Sequence, residues 1–547
     1  MSGIKFGTDG WRAVIGRDFT FDNLTTVAHA TGRWILEEHV TSNGVVIGYD
    51  ARFMGRQFAE HVAAVFAAME IPVRMAASVT PTPAVSFAAL HFDAVGIAIT
   101  ASHNPPEYSG FKIKAPFGGS ASPDQIAEVE RRLGVWADIG AGASASAGPE
   151  ASEGSGEGAG SETGNDTGVG EGSSGDTGVG EAAGASPNAS PINPKPFEEY
   201  CRSGMIRELD VTSLYLDDIR SKIDLEAIRE SGIRIGHDSM FGAGAGLIAR
   251  LLPGQVEELH GEFNPSFLGT PPEPIEKNLE EFAAFVPAHG CAIGIANDGD
   301  ADRIGVMDEA GRFVDSHKLL SLLVQYLYEG KGWKGRIVKT VSTTGMLDKQ
   351  AAAYGLPLTV TPIGFKYVAE LIVGGAGEGS GDAGSAGAGE GSGEGPHSME
   401  VLVGGEESGG LAVKGHLPER DGIYIGLLLT EMLVKGGVPL SERVNALYEE
   451  FGMHVCYRDD MHTEEWRKQA MMARCRAGEI GEVCGVAVAD RDMRDGVKHL
   501  LEDGSWVMVR PSGTEPVLRI YSEAADAGRA QALVEELVAM VHSLEKG

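Results

Sequence analysis

Val45-Val-Ile-Gly-Tyr49 is a short apolar run. Behind it, Phe58, Val62, Val65, Phe66 and Met69 recur at helical spacing between Arg56 and Met69. An unbroken apolar run of this length predicts a strand covered on both faces, and the spacing that follows predicts the covering helix. Pro72-Val-Arg-Met75 and Gly96-Ile-Ala-Ile-Thr100 continue as strands. The pattern comes back twice. One copy holds Gly232-Ile-Arg-Ile-Gly236 and Cys291-Ala-Ile-Gly-Ile-Ala296. The other holds Arg336-Ile-Val-Lys-Thr340, Leu358-Thr-Val-Thr361 and Val401-Leu-Val403, preceded by a helical Leu319 to Tyr328. Alternation of this kind predicts α/β domains with largely parallel sheets. The end differs: strands Trp506–Arg510 and Val517–Tyr521 flank a turn, and a helix follows from about Ala525 to Leu544, which predicts a smaller α+β domain.

At 547 residues the chain exceeds what one core organises, and four domains are expected, at 1–194, 195–305, 306–446 and 447–547. Residues 137–192 and 374–397 stand apart. They are rich in Gly, Ala and Ser, and hold nine and four acidic residues without a Lys or Arg. Such stretches bury too little apolar surface to offset the entropy of ordering, so they read as disordered inserts in surface loops. The net charge of −33 argues against nucleic-acid and anionic-membrane partners. Five cysteines without a CxxC pair argue against a disulfide framework or a structural zinc site. The N-terminus has no apolar leader, and no run of about 18 apolar residues occurs. A cytoplasmic protein is the expectation.

Four loops carry candidate chemistry. Thr100-Ala-Ser-His-Asn-Pro105 follows a strand, at the carboxyl edge where parallel sheets bind ligands, and offers Ser102 as a nucleophile beside His103. Asn297-Asp-Gly-Asp-Ala-Asp-Arg303 sets Asp298, Asp300 and Asp302 at spacing two, with Gly299 giving the backbone freedom to turn them toward one cation. Glu309 at the twelfth position invites an EF-hand reading. However, Arg303 stands where that loop needs Gly, and a strand precedes the loop where a helix is required. Gly405-Glu-Glu-Ser-Gly-Gly410 offers carboxylates and a hydroxyl suited to sugar hydroxyls. Arg510-Pro-Ser-Gly-Thr-Glu515, with Arg519, is an anion cradle of guanidinium, hydroxyls and backbone N–H groups. Each loop alone also reads as an ordinary turn; their conjunction is far more specific.

With Phe6-Gly-Thr-Asp-Gly-Trp-Arg12 at the start, these loops resemble, in order, the signatures of the α-D-phosphohexomutase superfamily, phosphoglucomutase/phosphomannomutase group. The resemblance implies three similar mixed-sheet α/β domains and a C-terminal domain around a central cleft. It makes Ser102 a phosphoserine that, with Asp298, Asp300 and Asp302, ligates Mg²⁺. Lys112 matches a general acid/base, with His103 nearby and Arg12 and Arg303 lining the pocket. Glu406 and Ser408 would hold sugar hydroxyls, faced by Gly364 and Lys366, while Arg510, Ser512, Gly513 and Thr514 would grip the non-transferring phosphate. The implied partners are small hexose phosphates, with a hexose 1,6-bisphosphate as activator. Glu407 and the absence of a histidine after Ser408 point to glucose, with mannose second. Related alternatives are a phosphomannomutase, a phosphoglucosamine mutase, a phosphatase using the same groups, or a non-catalytic sugar-phosphate sensor. Oligomeric state is not legible in the sequence.

Overall fold

The computed structural model of the chain describes residues 4–7, 9–143, 193–374, 400–512 and 517–545. Most of both acidic stretches, together with Gly513 and Thr514, lies outside the described residues. At their edges the expectation of irregular backbone is corrected. Helices Pro123–Ala143 and Phe365–Gly374 run into them, because extending an already nucleated helix adds a hydrogen bond per residue at small entropic cost.

The first sheet has the order β1-β5-β4-β2-β3-β6, from β1 (Trp11–Val14), β2 (Val45–Tyr49), β3 (Val73–Ala76), β4 (Val95–Ile99), β5 (Tyr108–Lys114) and β6 (Ile206–Leu209). The second runs β11-β10-β9-β7-β8, from β7 (Ile235–Asp238), β8 (Val256–Leu259), β9 (Ile293–Asn297), β10 (Ile304–Asp308) and β11 (Phe313–Val314). The third runs β13-β12-β14-β15, from β12 (Arg336–Thr340), β13 (Leu358–Thr361), β14 (Val401–Gly405) and β15 (Leu411–Val413). One plan recurs in all three. Parallel strands form the middle, and β4, β9 and β14 each run out into a motif loop and return antiparallel as β5, β10 and β15. The sheets are therefore mixed rather than largely parallel, and the return strand is what turns each motif loop into a tight hairpin-like projection.

Sheet pairing moves the expected boundaries. β6 pairs with β3, so the first sheet reaches past 194, and β11 pairs with β10, so the second reaches past 305. The boundary at 446 falls inside helix Leu440–Phe451, whose Leu447 and Phe451 are buried in the large shared core. Chain composition marks flexible stretches; it does not mark which sheet a later strand joins.

Two local expectations also shift. Gly232 is not in a strand: at φ 66° it ends helix Leu225–Ser231, and β7 begins at Ile235. The expected helix 319–328 starts at Ser316, capped by Asp315, and gives way after Gln325 to a widened turn over Tyr326–Gly330.

The C-terminal sheet has six strands rather than two, ordered β16-β21-β20-β19-β18-β17. They are β16 (Val455–His462), β17 (Glu482–Val483), β18 (Val486–Asp492), β19 (Val497–Leu501), β20 (Trp506–Pro511) and β21 (Val517–Ala524). Helix Ala527–His542 packs its Leu533, Val534 and Leu537 onto this sheet. β16 and β18 escape an apolar-run reading because they are partly exposed and charged, as in Tyr457-Arg-Asp-Asp460.

Candidate active site

Ser102 is buried and sits at φ 54°, a left-handed conformation costly for a residue with a Cβ. The strain is held by a network the sequence reading missed. Ser102 N–H donates to Thr100 Oγ1 (2.8 Å), and that hydroxyl donates to Asp50 (2.6 Å). Arg52, fully buried against Asp50 (3.1 Å), donates Nη2 to the carbonyls of Ser102 (2.6 Å) and Asn104 (2.7 Å). Its Nη1 donates to those of Pro105 (2.8 Å) and Tyr108 (2.9 Å). One guanidinium thus fixes four carbonyls of the loop, and its other face lies 5.1 Å from the Phe267 ring of the second domain. Burial pushes the Asp50 carboxyl up to about 6, against the pull of Arg52.

The aspartate loop meets this serine. Ser102 Oγ donates to Asp298 Oδ2 at 2.6 Å and lies 3.3 Å from His103 Nδ1. Gly299 is needed here for closeness rather than for turning: a Cβ would stand 2.5 Å from the Ser102 carbonyl oxygen, whereas the left-handed residue of the loop is Ala301 at φ 57°. Asp298, Asp300 and Asp302 are all buried, with ligand atoms within 4.8 Å of one another. Burial, and then the neighbouring Asp302 and Asp300, push the Asp298 carboxyl well above the usual range. Oδ1 of Asp300 and Oδ1 of Asp302 are buried without a hydrogen-bond partner. Buried, unpartnered carboxylate oxygens converging on one point fit a hard divalent cation. Thr82, at the start of helix Thr82–Phe92, ties this loop to the first domain, its N–H donating to the Asp300 carbonyl at 2.9 Å. Glu309 is not in the cluster; it accepts from Ser441, so no EF-hand forms.

Cations surround the carboxylates. Lys112 Nζ lies 2.9 Å from both Asp300 and Asp302 and 2.8 Å from Asp9. Burial opposes its charge, but these acids outweigh burial and raise its pKa. Arg420 donates to Asp9 and to Asp302 (2.7 Å) and reaches Glu406 at 3.9 Å, so it joins the aspartate loop to the Glu406 loop. Arg12 donates to Asn104 (2.8 Å), and Arg303 lies 3.7 Å from Glu273. Burial, and then Arg303 and Arg12, hold the His103 imidazole well below its ordinary pKa.

On the third domain, Glu406 is buried, and burial pushes it up to about 7 despite Arg420. Glu407 turns the other way, accepting from Ser342 (2.6 Å) and Thr340 (3.2 Å), so its carboxylate is spent on the scaffold. Ser408 is half-buried beside them. Gly364 (φ 138°) lies in the loop after β13, whereas Lys366 stands in the first turn of helix Phe365–Gly374 rather than in the loop, with its Nζ 5.1 Å from the Tyr367 ring.

In the C-terminal domain Arg510 pairs with Arg519 across β20 and β21, and Arg458 lies opposite Tyr521 across β16 and β21. Burial opposes the Arg510 charge, but its hydrogen bond with Asp495 raises its pKa. Ser512 is buried, its N–H donating to the Val517 carbonyl at 2.9 Å.

The described site residues that the sequence singles out therefore belong to connected parts of one assembly. Asp9, Asp50, Arg52, Thr82, Arg420, Arg458 and Asp495 were missed as site residues. Only Pro418-Glu-Arg-Asp-Gly422, a charge-dense turn before helix Gly422–Gly436, and Asp9, inside a quoted signature, carried a local signal. Among the described residues no single helix is long and apolar enough to cross a membrane.

Models described as phosphoglucomutase/phosphomannomutase alpha/beta/alpha domains I, II and III match residues 3–136, 213–311 and 315–451, and the model of the C-terminal domain matches 471–540. A phosphoglucomutase/phosphomannomutase of Thermococcus kodakarensis is 28% identical over 100% of both chains. A phosphoglucosamine mutase of Carboxydothermus hydrogenoformans is 27% identical over 99% of this chain and 100% of its own. The crystal structure of a putative phosphomannomutase from Thermus thermophilus superposes with TM-score 0.74 at 30% identity, covering 99% of this chain and 100% of that one. With four domain models in order and full-length relatives, the chain belongs to the α-D-phosphohexomutase superfamily and is a phosphohexomutase, an isomerase that works by intramolecular phosphoryl transfer.

Proposed function

We propose that the enzyme interconverts the 1- and 6-phosphates of glucose, with mannose phosphates as second substrates, and that Ser102 carries the phosphoryl group. The observation behind this is the 2.6 Å contact of Ser102 Oγ with Asp298, beside the unpartnered oxygens of Asp300 and Asp302. Phosphorylated Ser102 meets the free hydroxyl of a bound hexose monophosphate. The bond from phosphorus to Oγ breaks as the bond to the sugar oxygen forms. The hydroxyl gives up its proton and Oγ regains one, with Lys112 as general acid/base and His103 beside it. The hexose 1,6-bisphosphate then turns around and returns its other phosphoryl to Ser102; the same compound, supplied from outside, would act as activator by recharging the serine.

Asp298, Asp300 and Asp302, with the phosphoserine, would hold Mg²⁺, which when bound neutralises charge on the transferring phosphoryl group. Arg12 and Arg303 add fixed positive charge around that group, and preorganised charge is what a loose, highly charged transition state responds to. Glu406 and Ser408, faced by Gly364 and Lys366, would orient the sugar. Arg510 and Ser512, with Gly513 and Thr514 outside the described residues, would grip the phosphate that stays.

Two details support glucose. Gly409 has φ 87°, and a Cβ there would lie 2.5 Å from the Ile304 carbonyl; at Gly410 a Cβ would lie 2.3 Å from Arg420 Cδ. No larger side chain fits after Ser408, so a histidine contact to the sugar has no place there. Glu407 adds no support of its own, since its carboxylate accepts from Ser342. Rates with glucose, mannose, glucosamine and N-acetylglucosamine 1-phosphates, with Mg²⁺ and a trace of bisphosphate, test this. Glucose should lead, glucosamine leading would refute the sugar assignment, and free phosphate without isomer would refute mutase chemistry.

A further inference from the structure

The hairpin between β18 and β19 is pressed into two domains at once. Its Gly496 has φ 78°, and a Cβ there would stand 2.4 Å from the Val509 carbonyl oxygen and 3.1 Å from Arg510 Cα, so the tip lies directly against the strand that carries Arg510. From the same tip Arg494 Nη1 donates to the Val360 carbonyl (3.0 Å), and Lys498 Nζ to that of Val341 (2.9 Å), both in the third domain. Between them sits Asp495. Its Oδ1 accepts from Arg510 Nε at 2.9 Å, and its Oδ2 accepts from the Ile363 N–H at 3.0 Å.

A guanidinium is a rigid planar fork, so engaging Nε fixes where both terminal nitrogens point. Among the described residues neither Nη of Arg510 donates a hydrogen bond to a protein atom. Asp495 therefore consumes the one donor a phosphate does not need for a bidentate contact and leaves the two it does. The other carboxylate oxygen is spent on Ile363, in the loop that leads through Gly364 into the helix bearing Lys366, across a sequence separation of 132 residues. We infer that Asp495 is a positioning residue that aims Arg510 at the non-transferring phosphate and registers that grip against the facing loop of the third domain. The role rests on the proposed reading of Arg510 as a phosphate ligand. It also gives a physical reason for the cradle to work when the C-terminal domain is docked: the bond that orients Arg510 and the bond that docks the hairpin share one carboxylate.

A double-mutant cycle tests this. Dissociation constants for whichever of glucose 6-phosphate and mannose 6-phosphate binds tighter would be measured by calorimetry for the full chain and for R510A, D495A and D495A/R510A. D495N, which keeps the side-chain volume, stands in where D495A does not fold. A hydrogen bond to a charged group is worth about ten- to a hundredfold in affinity, so D495A should weaken binding by that factor. The double variant should bind within about twofold of R510A, because Asp495 acts through Arg510. Hydrogen exchange over residues 360–366 should also speed up in D495A. Normal binding by D495A and D495N, effects that multiply in the double variant, or unchanged exchange at 360–366 would each overturn the role of Asp495. Wild-type affinity in R510A would instead overturn the phosphate-cradle reading itself, and the two failures are read from different arms.

Discussion

Ser102 Oγ donates a 2.6 Å hydrogen bond to Asp298, a residue 196 positions further along the chain and in another domain. The serine hydroxyl and the first carboxylate of the aspartate loop are therefore brought into contact by the packing of two domains. Gly299 makes this possible by letting the aspartate loop lie against the serine's own carbonyl.

Removing the divalent ion should abolish turnover, and Mg²⁺ should restore it. Asp300→Asn should lower kcat by about a hundred- to a thousandfold, the usual cost of losing one preorganised charge contact. Because the triad is buried and partly unpartnered, Mg²⁺ should also raise the Tm of the wild type, by a smaller amount in the Asn variant. Thermal unfolding with and without chelator reads this independently of activity.

Arg52→Met should leave hexose phosphate binding nearly intact while kcat falls about a hundredfold, because the guanidinium orders the serine loop and touches no cradle residue. It should also cost about 3–5 kcal/mol of stability, since Asp50 is left buried without its partner. Adding Asp50→Asn should recover part of the stability and none of the rate. Equal losses in kcat and in binding would mean general damage rather than loop positioning.

Arg420→Gln removes the link between Asp302 and Glu406. Partners that orient a metal ligand are worth about 10- to 100-fold in metal affinity or activity. The Mg²⁺ concentration for half-maximal rate should rise within that range, and titration of activity against Mg²⁺ measures it.

Glu406 gives a signed pH prediction. Burial raises its folded-state value to about 7 from an ordinary 4.5, so between those values the folded enzyme holds a proton that the unfolded chain has released. Its contribution to stability is full below the ordinary value and lost as pH rises through about 7. Compared with Glu406→Gln, the wild type should lose up to about 3 kcal/mol between pH ~4.5 and ~8. Asp50, raised to about 6, is present in both proteins and cancels in the difference. A difference that is flat with pH would show that Glu406 is ionised throughout.

The motif loops were legible because each is contiguous and follows an apolar run, so Ser102, the aspartates and Glu406 could be found one loop at a time. Arg52 was not: apart from neighbouring Asp50, its partners are four carbonyls brought close only when the loop from Thr100 to Tyr108 folds over it. Arg420 and Asp495 were hidden for the same reason, since each makes its telling contacts with other domains. Glu406 and Glu407 are equivalent as neighbouring letters, and only the hydroxyls of Ser342 and Thr340 decide which one turns away. Strands β16 and β18 were missed because they are charged and partly exposed, β17 because it is only two residues long, and β19 because buried Lys498 and His499 interrupt the apolar signature that marked β2, β4 and β9.

The most direct measurement is of the phosphoryl group on Ser102. Enzyme stripped of phosphate, incubated with glucose 1,6-bisphosphate and Mg²⁺, should gain one phosphoryl group by intact mass. Peptide mapping should place it on Ser102, and adding glucose 1-phosphate should chase it into product at the rate of turnover. Ser102→Ala should neither take up phosphate nor isomerise. Isomerisation at an undiminished rate in that variant, or phosphate on another residue that is chased instead, would contradict Ser102 as the carrier.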